Sequence, residues 1–330
     1  MSAPSVTVLT AVRNGASHLA ETIASVRAQT FTDWEYIIVD DASIDETVAM
    51  VEDFCQKDRR LRLLRRAEAG GPYVAANQGL REARGRFIVR IDADDLSPAD
   101  RIQKQYDFLL QNRRFRACVS YWQAYDGSRI IPGTVTTVPL DGGVFCWYLL
   151  LRSPSLHSSV CYERSAIFEI GGYRELPLSQ DYRLWCELTC RGWLGVMPEV
   201  LSYVRTHQKR ESLQKRELQR RLALEVLADH LFALTRERWD RADLEALWSV
   251  GHSEVMPISR GLEMLERWDG LWKASDLSAE QKKQLQQISA FRRWKHVRSN
   301  ARRQPIQALL NAARYFTVPW HIVRGSSPSV

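Results

Sequence analysis

The 330-residue chain is 45% hydrophobic and 26% charged, a balance that excludes a fibrous or disordered protein and allows a sizeable core. Its longest apolar runs, such as FCWYLLL at 145–151, fall far short of the roughly 20 residues that span a bilayer. Residues 289–330 carry +8 of the net +7 while the rest sums to about neutral, which argues against a nucleic-acid binder that uses its whole body.

The N-terminus MSAPSVTVLT has no basic region before an apolar one, so a cytoplasmic protein is expected. SVTVLTAV reads as a first strand, and a helix follows with Leu19, Ile23 and Val26 on one face. WEYIIV at 34–39 is a second, buried strand. Ser43 and Glu46 have capping-box spacing and are expected to start a second helix bearing Val48, Val51 and Cys55. RLRLL at 60–64 gives a third strand, and Pro72 after Gly70 and Gly71 suits the first turn of a third helix running to about Ala83. RFIVRI at 86–91 is the fourth strand. Ser97, Pro98 and Asp100 are then expected to cap a helix to about Gln111. From 113 to 207 the pattern is mixed: FRACVSYWQAY, SSVCYE and LSYVRTH read as strands, and SQDYRLWCELTCRG as a helix with Asp181 in its first turn. After about 212 only helical patterns remain.

Alternating strands and helices predict a parallel sheet with helices on both faces, and such sheets bind ligands beyond the carboxyl ends of their strands. The acids fall there: Asp40 and Asp41 after strand two, then Asp92, Asp94 and Asp95 after strand four in VRIDADDLSP. Neighbouring carboxylates repel, so this density of charge implies a cation among them. The first turn, TAVRNGASH, contains neither GxGxxG nor GxxxxGK[ST], which speaks against dinucleotide oxidoreductases and P-loop NTPases. Mn²⁺ or Mg²⁺ held by Asp92 and Asp94 would neutralise a phosphate in place of such a loop. Asp-x-Asp pairs also arise in solvated turns, and the alternative for Asp41 is an Asx-type turn or helix cap before Ser43. The six cysteines include no CxxC pair and are read as packed free thiols, Cys186 and Cys190 among them.

In that order and spacing, VTVLTAVRN, SVRAQTFTDWEYIIVDDASIDET and AEAGGPYVAANQGLREARGRFIVRIDADDLSPADRI resemble the nucleotide-sugar domain of family 2 glycosyltransferases. LHSSVCYERSAIFEIGGYRELPLSQDYRLWCEL resembles the family's acceptor-side region, and LSYVRTHQKRES its closing strand. The resemblance covers residues 4–212 and implies an α/β GT-A fold: residues 1–112 forming the nucleotide-sugar half, 113–212 the acceptor half, and 213–330 a helical extension. It further implies that Ala11, Val12, Arg13 and Asp41 hold the nucleotide, joined by Asp92, Ala93 and Asp94 at the diphosphate. Asp92, Asp94, Asp95 and His207 would bind the metal, and Asp181 would be the catalytic base of an inverting transfer. Two departures stand out. Ala11, Val12, Arg13 and Asn14 occupy the place of a usual Pro-Thr-Tyr-Asn, and Gln180 that of a usual Glu.

The implied partners are a nucleotide diphosphate sugar and a saccharide or lipid-linked saccharide acceptor, in cell-surface polysaccharide or glycolipid assembly. The alternative is a non-catalytic nucleotide- or sugar-binding protein on the same scaffold. The basic, aromatic tail FRRWKHVRSNARRQPIQALLNAARYFTVPWHIVRG suits peripheral contact with an anionic membrane, and equally suits packing on the body with its arginines in water. The Leu- and Trp-bearing helices of 213–275 also leave homo-oligomerisation open.

Overall fold

The computed structural model describes residues 3–206 and 215–304. Strands β1 (Val6–Val12), β2 (Trp34–Asp40), β3 (Leu61–Arg65) and β4 (Phe87–Arg90) run parallel in the order β3-β2-β1-β4. β5 (Ala117–Tyr125) and β7 (Leu194–Arg205) pair in parallel beyond them, and β6 (Val160–Glu163) lies between β4 and β5, antiparallel to both. Among the described residues this is one seven-stranded sheet, β3-β2-β1-β4-β6-β5-β7. Every residue of β2 is buried, the mark of a strand covered on both faces.

Helices α1 (Leu19–Arg27), α2 (Thr47–Lys57), α3 (Pro72–Glu82) and α4 (Arg101–Gln111) alternate with the parallel strands. α1 buries Leu19, Ile23 and Val26, as its periodicity predicts, and α3 opens on Pro72, whose fixed φ suits a first helical turn. Gly71 before it has φ 86°, a conformation that a Cβ would strain. Two expected caps do not form. Ser43 instead accepts a hydrogen bond from Asn14 N (2.8 Å), while α2 starts at Thr47 with its amide on Asp45 Oδ1 (3.1 Å). Ser97 accepts from Arg101 Nη1 (2.9 Å), and Asp100 at the N-cap of α4 makes no side-chain cap bond. At α2 a tertiary partner, Asn14, takes the hydroxyl that the local pattern assigns to the helix, and at α4 the competitors are the local cations Arg101 and Lys104.

β7 is longer than its sequence pattern suggests because it contains an irregularity: Ser120 pairs with Met197 and Tyr121 with Val200, leaving Pro198 and Glu199 outside the register. A proline has no amide to give a ladder, so a bulge is where a strand tolerates it.

The chain forms two compact units, Met1–Val138 with Ser155–Leu222 and Pro139–Pro154 with Ala223–Val330. The first holds the sheet together with α6 (Arg164–Glu169) and α7 (Gln180–Cys190). The second contains α5 (Gly142–Tyr148), most of α8 (Arg216–Thr235), α9 (Arg241–His252), α10 (Ile258–Lys273) and α11 (Ala279–Asn300). Sequence pattern alone assigns α5 to the acceptor half, yet Val144, Trp147, Leu150 and Leu151 are core residues of the helical unit, packed with Leu227, Leu247, Leu265, Trp268 and Leu285. The indole of Trp268 donates to Trp147 O (3.2 Å), which satisfies a polar group inside that core. No helix of the described residues is long and apolar enough to cross a membrane.

Gly85, just ahead of β4, passes directly over β1: a Cβ there would lie 2.4 Å from Thr7 N and 2.6 Å from Val6 C. Backbone cannot give way as a side chain can, so Gly85→Ala is expected to destabilise the sheet unit by about 1–3 kcal/mol, the range for overpacking. A lowered urea midpoint at unchanged slope is the measurement that checks it.

Candidate active site

The acids expected at the sheet's carboxyl rim are there. β4 ends at Arg90, and the chain turns at 92–95, where Asp95 N donates to Asp92 O (3.3 Å). The side chain of Asp92 is 45% exposed and Asp94 is half-buried, whereas Asp95 is buried and faces inward, its Oδ1 accepting from Arg205 N (3.0 Å). Burial, reinforced by the charges of Asp94 and Asp92, holds the Asp95 carboxyl well above the usual carboxylate range. Leu96 and Tyr203 exchange both backbone hydrogen bonds (2.9 Å each), fastening the acidic turn to β7. Ala93 serves the turn through its backbone, where its carbonyl accepts from Thr22 Oγ1 (3.0 Å).

Three buried arginines that sequence reasoning passed over support this turn. Arg90 donates Nη1 to Leu9 O (2.7 Å) and reaches Asp92 Oδ1 with Nη2 (3.6 Å). Arg101 donates to Arg90 O (2.7 Å) and Val160 O (3.3 Å); burial lowers its pKa to about 10, so it stays cationic at neutral pH. Arg205, at the end of β7, donates Nε to Asp94 O (3.1 Å) and Nη2 to Glu21 Oε2 (2.7 Å), with its guanidinium over the Tyr125 ring. The signal was present for Arg90, a charge inside an apolar strand; nothing local marks the other two. His207, expected to complete the metal site, lies outside the described residues, two positions beyond Arg205.

Of the residues expected to meet a nucleotide, Ala11 and Val12 form the end of β1 and Arg13 is exposed just past it. Asn14 has φ 54°, and its Oδ1 accepts from Ile44 N (2.9 Å), which ties the turn after β1 to the turn after β2. Asp41 is buried: Oδ1 accepts from Arg66 Nε (2.8 Å) and Gly70 N (2.9 Å), Oδ2 from Gly71 N (2.8 Å). It therefore clamps the loop that opens α3. The Asx-type contact to Ser43 N (3.1 Å) belongs to its neighbour Asp40.

The segment expected on the acceptor side carries the remaining candidate, Asp181. Asp181 lies in the first turn of α7, after Ser179 in the left-handed region (φ 61°). Its Oδ1 accepts from Tyr182 N (2.8 Å), yet burial outweighs that bond and, with the nearby charge of Asp92, pushes its pKa up to about 6. Asp181 and Asp92, 89 positions apart in sequence, thus share one electrostatic environment. Tyr173, which precedes Asp181 in the same segment, is tied toward Arg90: its hydroxyl bonds His157 Nε2 (2.7 Å) and Tyr162 OH (2.9 Å), and His157 lies against Arg90. Burial and Arg90 hold His157 well below its ordinary pKa, so it is a neutral core imidazole. Asn77 of α3 completes the link, donating Nδ2 to Tyr173 O (2.8 Å) and accepting from Tyr173 N (2.9 Å). The tryptophans that could have stacked on a sugar are otherwise employed. Trp147 and Trp185 are buried, and Trp193 carries the guanidiniums of Arg116 and Arg191.

Comparison with known proteins agrees with this geometry. Residues 7–154 match the model of glycosyl transferase family 2. TuaG of Bacillus subtilis, a putative teichuronic acid biosynthesis glycosyltransferase, is 33% identical over 208 residues, covering 61% of this chain and 79% of its own. An uncharacterized glycosyltransferase of Haemophilus influenzae is 25% identical over 273 residues, 80% of this chain and 84% of its own. Among solved structures, S. aureus TarS 1-349 in complex with UDP-GlcNAc superposes with a TM-score of 0.61 at 16% identity over 92% of each chain. The mannosyltransferase PcManGT from Pyrobaculum calidifontis, in complex with GDP-Man and Mn²⁺, gives 0.57 at 18% identity over 94% of this chain and 87% of its own. The chain belongs to glycosyltransferase family 2: its fold is GT-A with helices added at the C-terminal end, and it is a glycosyltransferase.

Because Asn77 satisfies both backbone groups of Tyr173, Asn77→Ala strands a donor and an acceptor, each costing about 1–3 kcal/mol when buried. Expected is a lower melting temperature together with a drop in kcat that exceeds any change in donor KM. An unchanged kcat in the folded variant would show that the latch does not place Asp181.

Proposed function

We propose that this enzyme moves a sugar from a nucleotide diphosphate sugar to a hydroxyl of a saccharide or lipid-linked saccharide acceptor, with inversion at the anomeric carbon. Its place would be the cytoplasmic side of cell-surface polysaccharide or glycolipid assembly. The observation that carries the reading is one half-buried carboxylate, Asp181, whose proton affinity is raised beside the rim carboxylates after β4. The UDP-GlcNAc and GDP-Man found with structural neighbours support a nucleotide-sugar donor.

Asp41 and the turn at Ala11, Val12 and Arg13 would receive the nucleotide. Asp41 Oδ1 already accepts from Arg66 and Gly70, whereas Oδ2 accepts from Gly71 N and keeps a lone pair for a base or ribose donor. Asp92 and Asp94 fit a hard divalent cation: both are oxygen donors with solvent access, one residue apart in a single turn. His207 would add a further donor. When bound, Mn²⁺ or Mg²⁺ supplies the positive charge that stabilises the departing diphosphate. Asp95 holds the turn in place through Arg205.

Asp181 performs the proton transfer. Its carboxylate accepts the acceptor hydroxyl's proton as that oxygen bonds to the anomeric carbon from the face opposite the diphosphate, and the bond to the diphosphate breaks. No general acid is needed, because the leaving group departs as an anion, in contrast to glycoside hydrolysis with its two carboxylates. A pKa near 6 makes Asp181 a stronger base than an ordinary aspartate while leaving it ionised at neutral pH.

Two expectations test this. Asp181 works deprotonated, so kcat/KM should be level above pH 7 and fall tenfold per unit below about pH 6, while Asp181→Asn should lower kcat by about 10²–10⁴-fold with donor binding retained. Chelation should abolish transfer and Mn²⁺ restore it in the native chain, whereas Asp92→Asn should need more Mn²⁺ for half-maximal rate. Full activity of the Asp181 variant, or activity indifferent to chelator, would refute the corresponding assignment.

A further inference from the structure

The helical unit contains a second concentration of charge, of opposite sign. Arg292 on α11 is 3% exposed, and its acceptors are neutral: Nη1 donates to Gly251 O (2.9 Å) and Nη2 to the hydroxyl of Tyr148, over whose ring the guanidinium lies at 5.4 Å. Its Nε is buried with no hydrogen-bond partner. Lys295 stands one turn further along α11 and is half-buried. Arg152 follows one turn after Tyr148, its amide bonded to Tyr148 O (3.1 Å), and its own Nε is likewise buried without a partner. The cations act on one another: Arg152 lowers the pKa of Arg292, and both arginines lower that of Lys295, beyond what burial does. Among the described residues none of the three forms an ion pair with a carboxylate. The neighbouring Asp269 is taken by Arg293 (2.7 Å) and Ser289 (3.0 Å).

Buried charges in proteins are paired, because an isolated one costs several kcal/mol of lost hydration. We propose that Arg152, Arg292 and Lys295, with the Tyr148 hydroxyl beside them, form a binding site for a phosphate-type oxyanion. Two guanidiniums and an ammonium supply several charge-assisted donors for several oxygens, the recognition chemistry of phosphate esters. The half-buried Lys295 and Arg152 form the open side, and Arg292 the floor. Such a group comes either from a lipid headgroup or from a soluble phosphate ester. The site is distinct from the carboxylate-lined one above and does not depend on the sugar-transfer reading.

Thermal unfolding of the full chain, titrated with inorganic phosphate at constant ionic strength, tests the proposal. Saturable stabilisation is expected, since a ligand that binds only the folded state raises its melting temperature. Lys295→Gln and Arg152→Gln, both at the open side, should fold normally and shift the phosphate midpoint by about tenfold to hundredfold, the worth of one charge-assisted hydrogen bond. Arg292→Met should lose the phosphate response and, where it folds, melt higher than the native chain in phosphate-free buffer, because a buried unpaired charge has been removed. Glycerol 3-phosphate and vesicles of phosphatidylcholine with or without phosphatidic acid distinguish the two sources: sedimentation with phosphatidic acid that Lys295→Gln weakens identifies a headgroup, and saturation by glycerol 3-phosphate alone identifies a soluble ester. No saturable response to any of the three phosphates, or a response equal in the native chain and both glutamine variants, overturns the proposal.

Discussion

Asp92, Asp94 and Asp95 crowd one turn, and the enzyme half of this molecule is organised around making that crowding tolerable. Two carboxylates about 5 Å apart repel by roughly 3 kcal/mol at an effective dielectric of 20, a sizeable fraction of a domain's whole stability. The protein answers with cations brought from three elements: Arg90 from the end of β4, Arg101 from the start of α4, and Arg205 from the end of β7. Each is buried, and each gives at least one donor to a backbone carbonyl, which helps fix where its charge sits. The antiparallel β6 matters for the same reason. By placing its neighbour turn at His157 and Ser158 against β4, it supplies the hydroxyl that accepts from Asp92 N (2.9 Å).

α3 is the second organising element. At its start Asp41 holds the amides of Gly70 and Gly71, and in its middle Asn77 holds both backbone groups of Tyr173. One helix therefore connects the carboxylate expected to meet the nucleotide with the segment that leads to Asp181. The two segments are thus held by side-chain to backbone hydrogen bonds at the start and middle of one rigid helix, a more precise arrangement than side chains on free loops would give.

The parallel half of the sheet was legible from residue patterns, because β1 to β4 are apolar runs, Pro72 marks a helix start and Leu19, Ile23 and Val26 share a face. The convergence of Asp41 and Asp92 at one rim followed from the alternation alone. What could not be read was where long-range partners override local chemistry. Ser43 looks like a cap and instead bonds Asn14, 29 positions away. Asp95 resembles its exposed neighbours in sequence, but the backbone of β7, 110 positions away, turns it inward. The roles of Asn77 and Tyr173 likewise rest on pairings across 96 positions that no periodicity encodes.

The membership of α5 has a practical side. Its stretch of chain leaves the sheet unit after Val138 and rejoins it at Ser155, having contributed Val144, Trp147, Leu150 and Leu151 to a core otherwise assembled from residues after Ala223. Trimming the protein to its family-like portion would therefore bare an oily excursion in mid-sequence and invite aggregation, however well the remaining sheet were formed. Evolution of this polypeptide by simple loss or exchange of its C-terminal helices is hindered in the same way, since the two parts share a thread and not merely a junction.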